Sequence, residues 1–149
     1  MTPSNDFETA ERLGKRRARM VFVLAIFFLM QQATYFSGPD TVTRAVDHFR
    51  IAGWLVMSVV LLAALTSGGF WFRPKRVREL LDDEVTRANR ADAMRFGFMA
   101  AMTASIALYF LSLFEPMSGR QAIHLIISVG IGFALLRFGF LERRAQADA

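Results

Sequence analysis

Two histidines are the residues of this chain best suited to metal or haem chemistry. His48 and His124 would lie near the outer ends of two apolar helices, where two imidazoles can ligate one haem. Asp40, Asp47 and Glu115 would lie on the same side, so a zinc ion is a second option, but their spacing matches no zinc motif. No further ligand pattern surrounds either histidine. We therefore favour ordinary interfacial or hydrogen-bonding histidines and predict no metal and no cofactor.

An acidic group in the middle of the chain is a second candidate for chemistry. Its members are Glu79, Asp82, Asp83 and Glu84. Clustered carboxylates can bind a metal or transfer protons, but here arginines are interleaved with them. Arg78 lies four residues before Asp82 and Arg87 four residues after Asp83, a spacing typical of stabilising pairs on an exposed helix. The chain also contains no Ser/His/Asp set, phosphate-binding loop or zinc-protease motif, so we predict that it is not an enzyme.

Four long apolar runs define the elements of the chain. They cover residues 20–36, 51–72, 96–114 and 121–140, and each is close to the ~20 residues that cross a bilayer as a helix. The runs are continuously apolar instead of alternating, which favours helices over a barrel. The predicted fold is therefore an all-α membrane protein with four transmembrane helices. The run 20–36 also resembles a signal peptide, but no small-residue cleavage site follows it, so we expect an uncleaved span.

The basic residues predict the orientation of these spans. If both termini are cytosolic, 14 of the 18 lysines and arginines lie on the cytosolic side, as the positive-inside rule requires. We predict a cytosolic tail at 1–19, a transmembrane domain at 20–141 with a cytosolic connector at 73–95, and a cytosolic tail at 142–149. The expected location is the bacterial inner (plasma) membrane, as a multi-pass protein. The net charge of +5 is then explained by orientation and by attraction to anionic lipids, not by direct nucleic-acid binding.

The connector predicts a helix that projects from the membrane into the cytosol. Residues 77–95 contain no glycine or proline and are rich in helix formers. An apolar stripe runs along this helix, so something is expected to cover it. The candidates are the amino-terminal segment, the membrane surface, a second copy of the chain, or a cytosolic protein. The predicted partner-binding residues are Leu80, Leu81, Asp82, Asp83, Val85, Arg87, Ala88 and Arg90.

Small residues recur at every fourth position of the third and fourth runs. Such spacing lets membrane helices approach closely. The predicted packing residues are Gly97, Ala101, Ser105, Ser128, Gly130, Gly132 and Ala134. Packing within one four-helix bundle is the favoured interpretation, and a homodimer is compatible with the same residues.

The segment "LLDDEVTRANRADAMRFGF" carries a resemblance to a group of proteins. It resembles the connector of uncharacterised small four-span bacterial inner-membrane proteins that are encoded beside helix-turn-helix regulators. Their connector has an acid-rich pattern, L-[DN]-[DE]-E-x-T-R-x-N/H-R. The matching residues are Leu81, Asp82, Asp83, Glu84, Thr86, Arg87, Asn89 and Arg90. The resemblance covers about one fifth of the chain and implies a membrane protein that docks and restrains a cytosolic regulator.

The sequence thus predicts a non-enzymatic membrane protein that binds, and thereby regulates, a cytosolic partner through its central helix. The alternative is a small transporter, or a cofactor-bearing electron-transfer or accessory subunit of a membrane complex. Proton-coupled transport needs an ionisable group at depth, and the four runs contain no Asp or Glu. Arg137 is their one charged residue, and it lies close enough to the inner surface to snorkel.

Overall fold

The computed structural model describes residue 16 and residues 19–32, 45–67 and 84–147. Within these residues every regular element is a helix: α1 Arg19–Gln32, α2 Ala45–Ser67, α3 Glu84–Ser112 and α4 Gly119–Ala147. The all-helical prediction is confirmed for this part of the chain. Three of the helices, α2, α3 and α4, are long and apolar enough to cross a membrane, whereas α1 is apolar but shorter. Residues 33–36 of the first predicted span lie outside the described residues.

The turn between α3 and α4 is fixed by local hydrogen bonds. After α3, the backbone N–H groups of Phe114 and Glu115 donate to the carbonyl of Leu111, both at 3.0 Å. At the start of α4 the Ser118 hydroxyl accepts a hydrogen bond from the backbone N–H of Gln121 at 3.2 Å. The Gln121 side chain accepts one from the Ser118 N–H at 3.0 Å. This reciprocal pair is a capping box, which satisfies backbone donors that a helix start leaves unpaired.

Helices α3 and α4 pack closely against each other. A Cβ added at Gly97 would lie 2.6 Å from the carbonyl oxygen of Gly130 and 2.6 Å from the Cβ of Ala134. A Cβ at Gly130 would lie 3.1 Å from the Cβ of Ala101. Backbones can come this close only where both helices carry small residues. The two helices run antiparallel, since Asn89 near the start of α3 pairs with Glu142 near the end of α4, and Ala101 further along α3 meets Gly130, which comes earlier in α4.

Helix α4 also supports α1. Gly132 faces the side chain of Leu29, and Gly139 faces Phe22. The His124 side chain reaches Gln32 at the end of α1. The contacts occur in opposite order along the two helices: Phe22 meets Gly139, Leu29 meets Gly132, and Gln32 meets His124. Helix α1 therefore runs antiparallel to α4.

Helix α2 runs parallel to α4. Trp54 stacks on His124 near the start of α4. Leu61 and Leu65, which follow Trp54 along α2, are buried in the same core as residues that follow His124 along α4. Each helix therefore runs in the direction opposite to that of the helix before it in the chain. The core residues are Ala25, Phe28, Trp54, Leu61, Leu65, Ala93, Ile131, Ala134, Leu135 and Phe138.

The outer surface of the bundle is apolar. Phe98, Met102, Ile106 and Phe110 follow one another at four-residue spacing on α3, and each is between 46% and 64% exposed. A water-soluble bundle would bury such a stripe, whereas hydrocarbon solvates it. This surface fits the composition of the three candidate spans.

The sequence predicts that the charged start of α3 projects from the membrane, and in the structure the end of α4 lies beside it. The sequence places the end of the fourth span at residue 140, but α4 continues as a helix to Ala147. Its last turns run beside the first turns of α3, so the two helices extend together. The extension of α4 is physically reasonable, because no glycine or proline follows Gly139. Helix α3 is described from Glu84 onwards, and residues 77–83 lie outside the described residues.

Candidate functional site

The paired ends of α3 and α4 bring charged residues of both helices together. The Arg137 Nε donates a hydrogen bond to the Asp92 Oδ2 at 2.9 Å. The Arg137 guanidinium also lies 5.6 Å from the centre of the Phe96 ring. The two charged side chains are 37% and 49% exposed, so this ion pair contributes only ~0–1 kcal/mol. It joins the two helices, and it gives Arg137 a partner that the sequence did not predict.

A covered face of α3 continues from this ion pair towards Glu84. Thr86 and Ala93 are buried, and the Asn89 Nδ2 donates to the Glu142 Oε1 at 3.3 Å. Glu142 itself is only 4% exposed. The sequence analysis did not predict this face because it treated residues 142–149 as a cytosolic tail. The helix-forming composition of "LERRAQA" was the signal that could have extended it.

The opposite side of the same turns is exposed, and we call it the open face. It consists of Glu84, Val85, Arg87, Ala88 and Ala91. Val85 is 53% exposed although it is a large apolar side chain. The open face combines apolar and charged side chains on a helix whose other side is fixed against α4.

The predicted partner-binding residues divide into three groups. Val85, Arg87 and Ala88 lie together on the open face. Arg90 is half-buried, so it lies between the open and the covered face. Leu80, Leu81, Asp82 and Asp83 lie outside the described residues.

The predicted packing residues are spread over two different contacts. Gly97, Ala101, Gly130 and Ala134 meet between α3 and α4, whereas Gly132 meets Leu29 of α1.

The two predicted serines differ from each other. Ser105 is half-buried, and its hydroxyl donates to the carbonyl of Ala101 at 2.8 Å. Ser128 is 2% exposed, and its hydroxyl has no hydrogen-bond partner among the described residues.

His124 belongs to a buried polar cluster inside the bundle. Its Nε2 lies 2.5 Å from the Gln32 Oε1, and its ring stacks on Trp54 with the centroids 4.1 Å apart. The Gln32 Nε2 donates to the carbonyl of Phe28 at 3.0 Å, which directs the Oε1 towards the histidine. Because an amide oxygen can only accept, the His124 Nε2 is the donor of this hydrogen bond. This pairing is the hydrogen-bonding role that we favoured for the histidine.

Of the two histidines, only His124 has a side chain among the described residues. His48 lies in the first turn of α2, where the side chain is not described. In the described part of the chain, no group of three or more His, Cys, Asp or Glu side chains could hold a metal ion. The absence of a cofactor and of enzymatic activity remains a prediction.

No family model, curated protein or solved structure matches the chain. The resemblance of the connector to proteins encoded beside regulators therefore stays a prediction.

Proposed function

We propose that this is a non-enzymatic protein of the bacterial inner membrane that docks a cytosolic protein on the open face of α3. The observation that carries the proposal is the asymmetry of the first turns of α3. One side is covered by α4 through Asn89 and Glu142, while Val85 on the other side is 53% exposed. An exposed apolar residue flanked by Glu84 and Arg87 fits a helix face on which a partner docks, with apolar contact and charges side by side.

The hairpin makes this face a rigid surface for binding. The Asp92–Arg137 and Asn89–Glu142 contacts hold α3 on α4 before any partner arrives. A preformed surface loses less conformational entropy on binding than a helix that must first become ordered. Val85 and Ala88 would supply buried apolar area, and Arg87 would set the register by charge. The sequence predicts four further partner-binding residues, which lie outside the described residues: Leu80, Leu81, Asp82 and Asp83.

Four membrane crossings are part of this proposal. Although α1 is short, its contacts with α4 run from Phe22 at Gly139 to Gln32 at His124. These residues of α4 are 15 positions apart, which corresponds to roughly 22 Å of helix at ~1.5 Å per residue. Helix α1 thus accompanies α4 through most of a hydrocarbon layer of ~30 Å. The positive-inside rule then places both termini and the open face in the cytosol.

The resemblance of the connector indicates which class of partner to expect. It implies a helix-turn-helix transcription regulator, held at the membrane and thereby restrained. The protein would bind the regulator and not the nucleic acid. The partners of the proposal are thus the lipid bilayer and one cytosolic protein.

Site-specific photocrosslinking in cells tests the docking proposal. A photoreactive amino acid at Ala88 on the open face should crosslink one soluble protein, identified by mass spectrometry as a DNA-binding regulator. The matched control carries the same group at Ala147, which is exposed at the end of α4. Adding Val85→Asp to the Ala88 variant should lower the crosslinked yield at least tenfold, because it places a charge in the apolar contact.

Three results would overturn the proposal. The same product at both positions would show contact without specificity for the open face. A yield that Val85→Asp leaves unchanged would show that the apolar contact is absent. A product with twice the mass of this chain would show that a second copy covers the face.

A further inference from the structure

Three buried polar atoms between α2 and α4 have no hydrogen-bond partner among the described residues. They are Trp54 Nε1, Ser58 Oγ and Ser128 Oγ. The three residues are 8%, 4% and 2% exposed, so bulk solvent does not reach them. A buried polar group without a partner costs ~1–3 kcal/mol, and three such groups on two packed helices need an explanation.

Their positions place the three atoms in neighbouring layers of the bundle. Trp54 stacks on His124, and Ser58 and Ser128 each follow four residues later on parallel helices. The two hydroxyls therefore lie in the same layer of the bundle, one helical turn after the stacked rings along both helices. Ser128 is nine residues from the start of α4, which corresponds to a depth of about 13 Å at ~1.5 Å per residue.

Several other hydroxyls of the apolar helices bond their own helix, unlike Ser58 and Ser128. The Ser105 hydroxyl donates to Ala101, and the Thr66 and Ser67 hydroxyls donate to carbonyls three or four residues earlier in α2. A serine in an apolar helix can satisfy itself in this way without any other group. Ser58 and Ser128, which are the more deeply buried, do not bond their own helices. Their hydroxyls are therefore available to an occupant of the layer.

The chemistry of the three atoms selects the occupant. An indole N–H can only donate, so the occupant must carry an acceptor, which argues against a cation. A serine hydroxyl both donates and accepts, so it can pair with either function of the occupant. Burying an uncompensated anion in this uncharged layer would be very costly. A small uncharged molecule with both an acceptor and a donor remains.

We propose that Trp54, Ser58 and Ser128 bind a water molecule that bridges α2 and α4. Buried waters typically make about three hydrogen bonds to groups that would otherwise be unsatisfied, and Trp54, Ser58 and Ser128 supply three such atoms. The bridge complements the Trp54–His124 stack directly above it. It makes the seating of α2 depend on a bound solvent molecule as well as on apolar packing.

Nuclear magnetic resonance of the full chain tests the proposal. Trp71→Phe leaves Trp54 as the single tryptophan. The Trp54 indole is then labelled with ¹⁵N, and the protein is studied in deuterated detergent. A bound water should give a cross-peak between the Trp54 indole proton and water, with the sign of a long-lived contact. Ser58→Ala combined with Ser128→Ala should reduce this cross-peak several-fold. An indole proton without any water cross-peak would overturn the proposal.

Unfolding experiments add a second test, because a water-filled site and a dry layer predict opposite changes in the denaturation midpoint of the serine variants. If water fills the site, Ser58→Ala or Ser128→Ala removes a hydrogen bond and should lower the denaturation midpoint. If the layer is dry, either substitution removes an orphaned hydroxyl and should raise the midpoint, which would contradict the proposal. Ser105→Ala is the matched control, because its hydroxyl bonds its own helix, and its midpoint should change little.

Discussion

At the scale of single residues, small side chains and one hydrogen bond determine how the helices meet. Gly97 allows α3 to touch the backbone of α4 at Gly130. The Gln32–His124 pair joins α1 to α4 inside the bundle. The spacing of Gly97 and Gly130 is visible in the sequence, but their contact is not, because spacing does not say which helix a small residue meets.

Gly97→Ala should destabilise the bundle. Its added methyl group would lie 2.6 Å from the Gly130 carbonyl oxygen and from the Ala134 Cβ, and overpacking of this kind costs ~1–3 kcal/mol. Unfolding in mixed micelles measures the change in free energy. Gly53→Ala is the control: apart from its chain neighbours and its own helix backbone, no atom of the described residues lies within 4 Å of its Cβ position, and alanine stabilises a helix interior by ~0.5–1 kcal/mol. Equal effects of the two substitutions would argue against the close approach at Gly97.

The Gln32–His124 hydrogen bond should appear as a coupling energy. A double-mutant cycle with Gln32→Leu and His124→Phe keeps the side-chain volumes and the aromatic stack on Trp54 approximately constant. Hydrogen bonds between membrane helices contribute ~0.6 kcal/mol on average and up to ~1.7 kcal/mol, so we expect a coupling in this range. The cycle is measured from unfolding free energies. Strictly additive effects would mean that the two side chains do not interact.

At the scale of elements, the α3–α4 hairpin extends beyond the apolar run of each helix. The apolar runs predicted the three long helices well, because a hydrophobic run is a strong and local signal. They did not predict the packing of the charged segments. Glu142 looks like part of a polar tail in the sequence, yet it is buried beside Asn89. Such pairing depends on contacts between distant positions, which hydropathy does not encode.

Removing the end of α4 should loosen the start of α3. A chain that stops after residue 141 loses Glu142 and uncovers the face that carries Thr86 and Asn89. Hydrogen exchange should then be at least tenfold faster for the backbone amides of 88–92, since local opening follows lost contacts. Amides of 97–112 serve as the internal reference and should keep their protection. Unchanged exchange at 88–92 would mean that the end of α4 does not support α3.

At the scale of the whole molecule, the described helices form a bundle around α4 with an apolar exterior. Helix α4 contacts α1 at Gly132 and Gly139, α2 at His124, and α3 at Gly130. The sequence predicted the membrane class and the helical composition, but the central position of α4 follows only from the contacts. The proposed docking role depends on α3 crossing the bilayer with its first turns in the cytosol.

Cysteine accessibility measures this orientation most directly, because the chain contains no native cysteine. Val85→Cys places a single thiol at an exposed position near the start of α3, and Glu115→Cys places one in the turn just after its end. A membrane-impermeant maleimide should label Val85→Cys only in inside-out vesicles, and Glu115→Cys only in intact spheroplasts. Labelling of both thiols from the same side would show that α3 does not cross, and labelling of Val85→Cys from outside would contradict cytosolic docking on the open face.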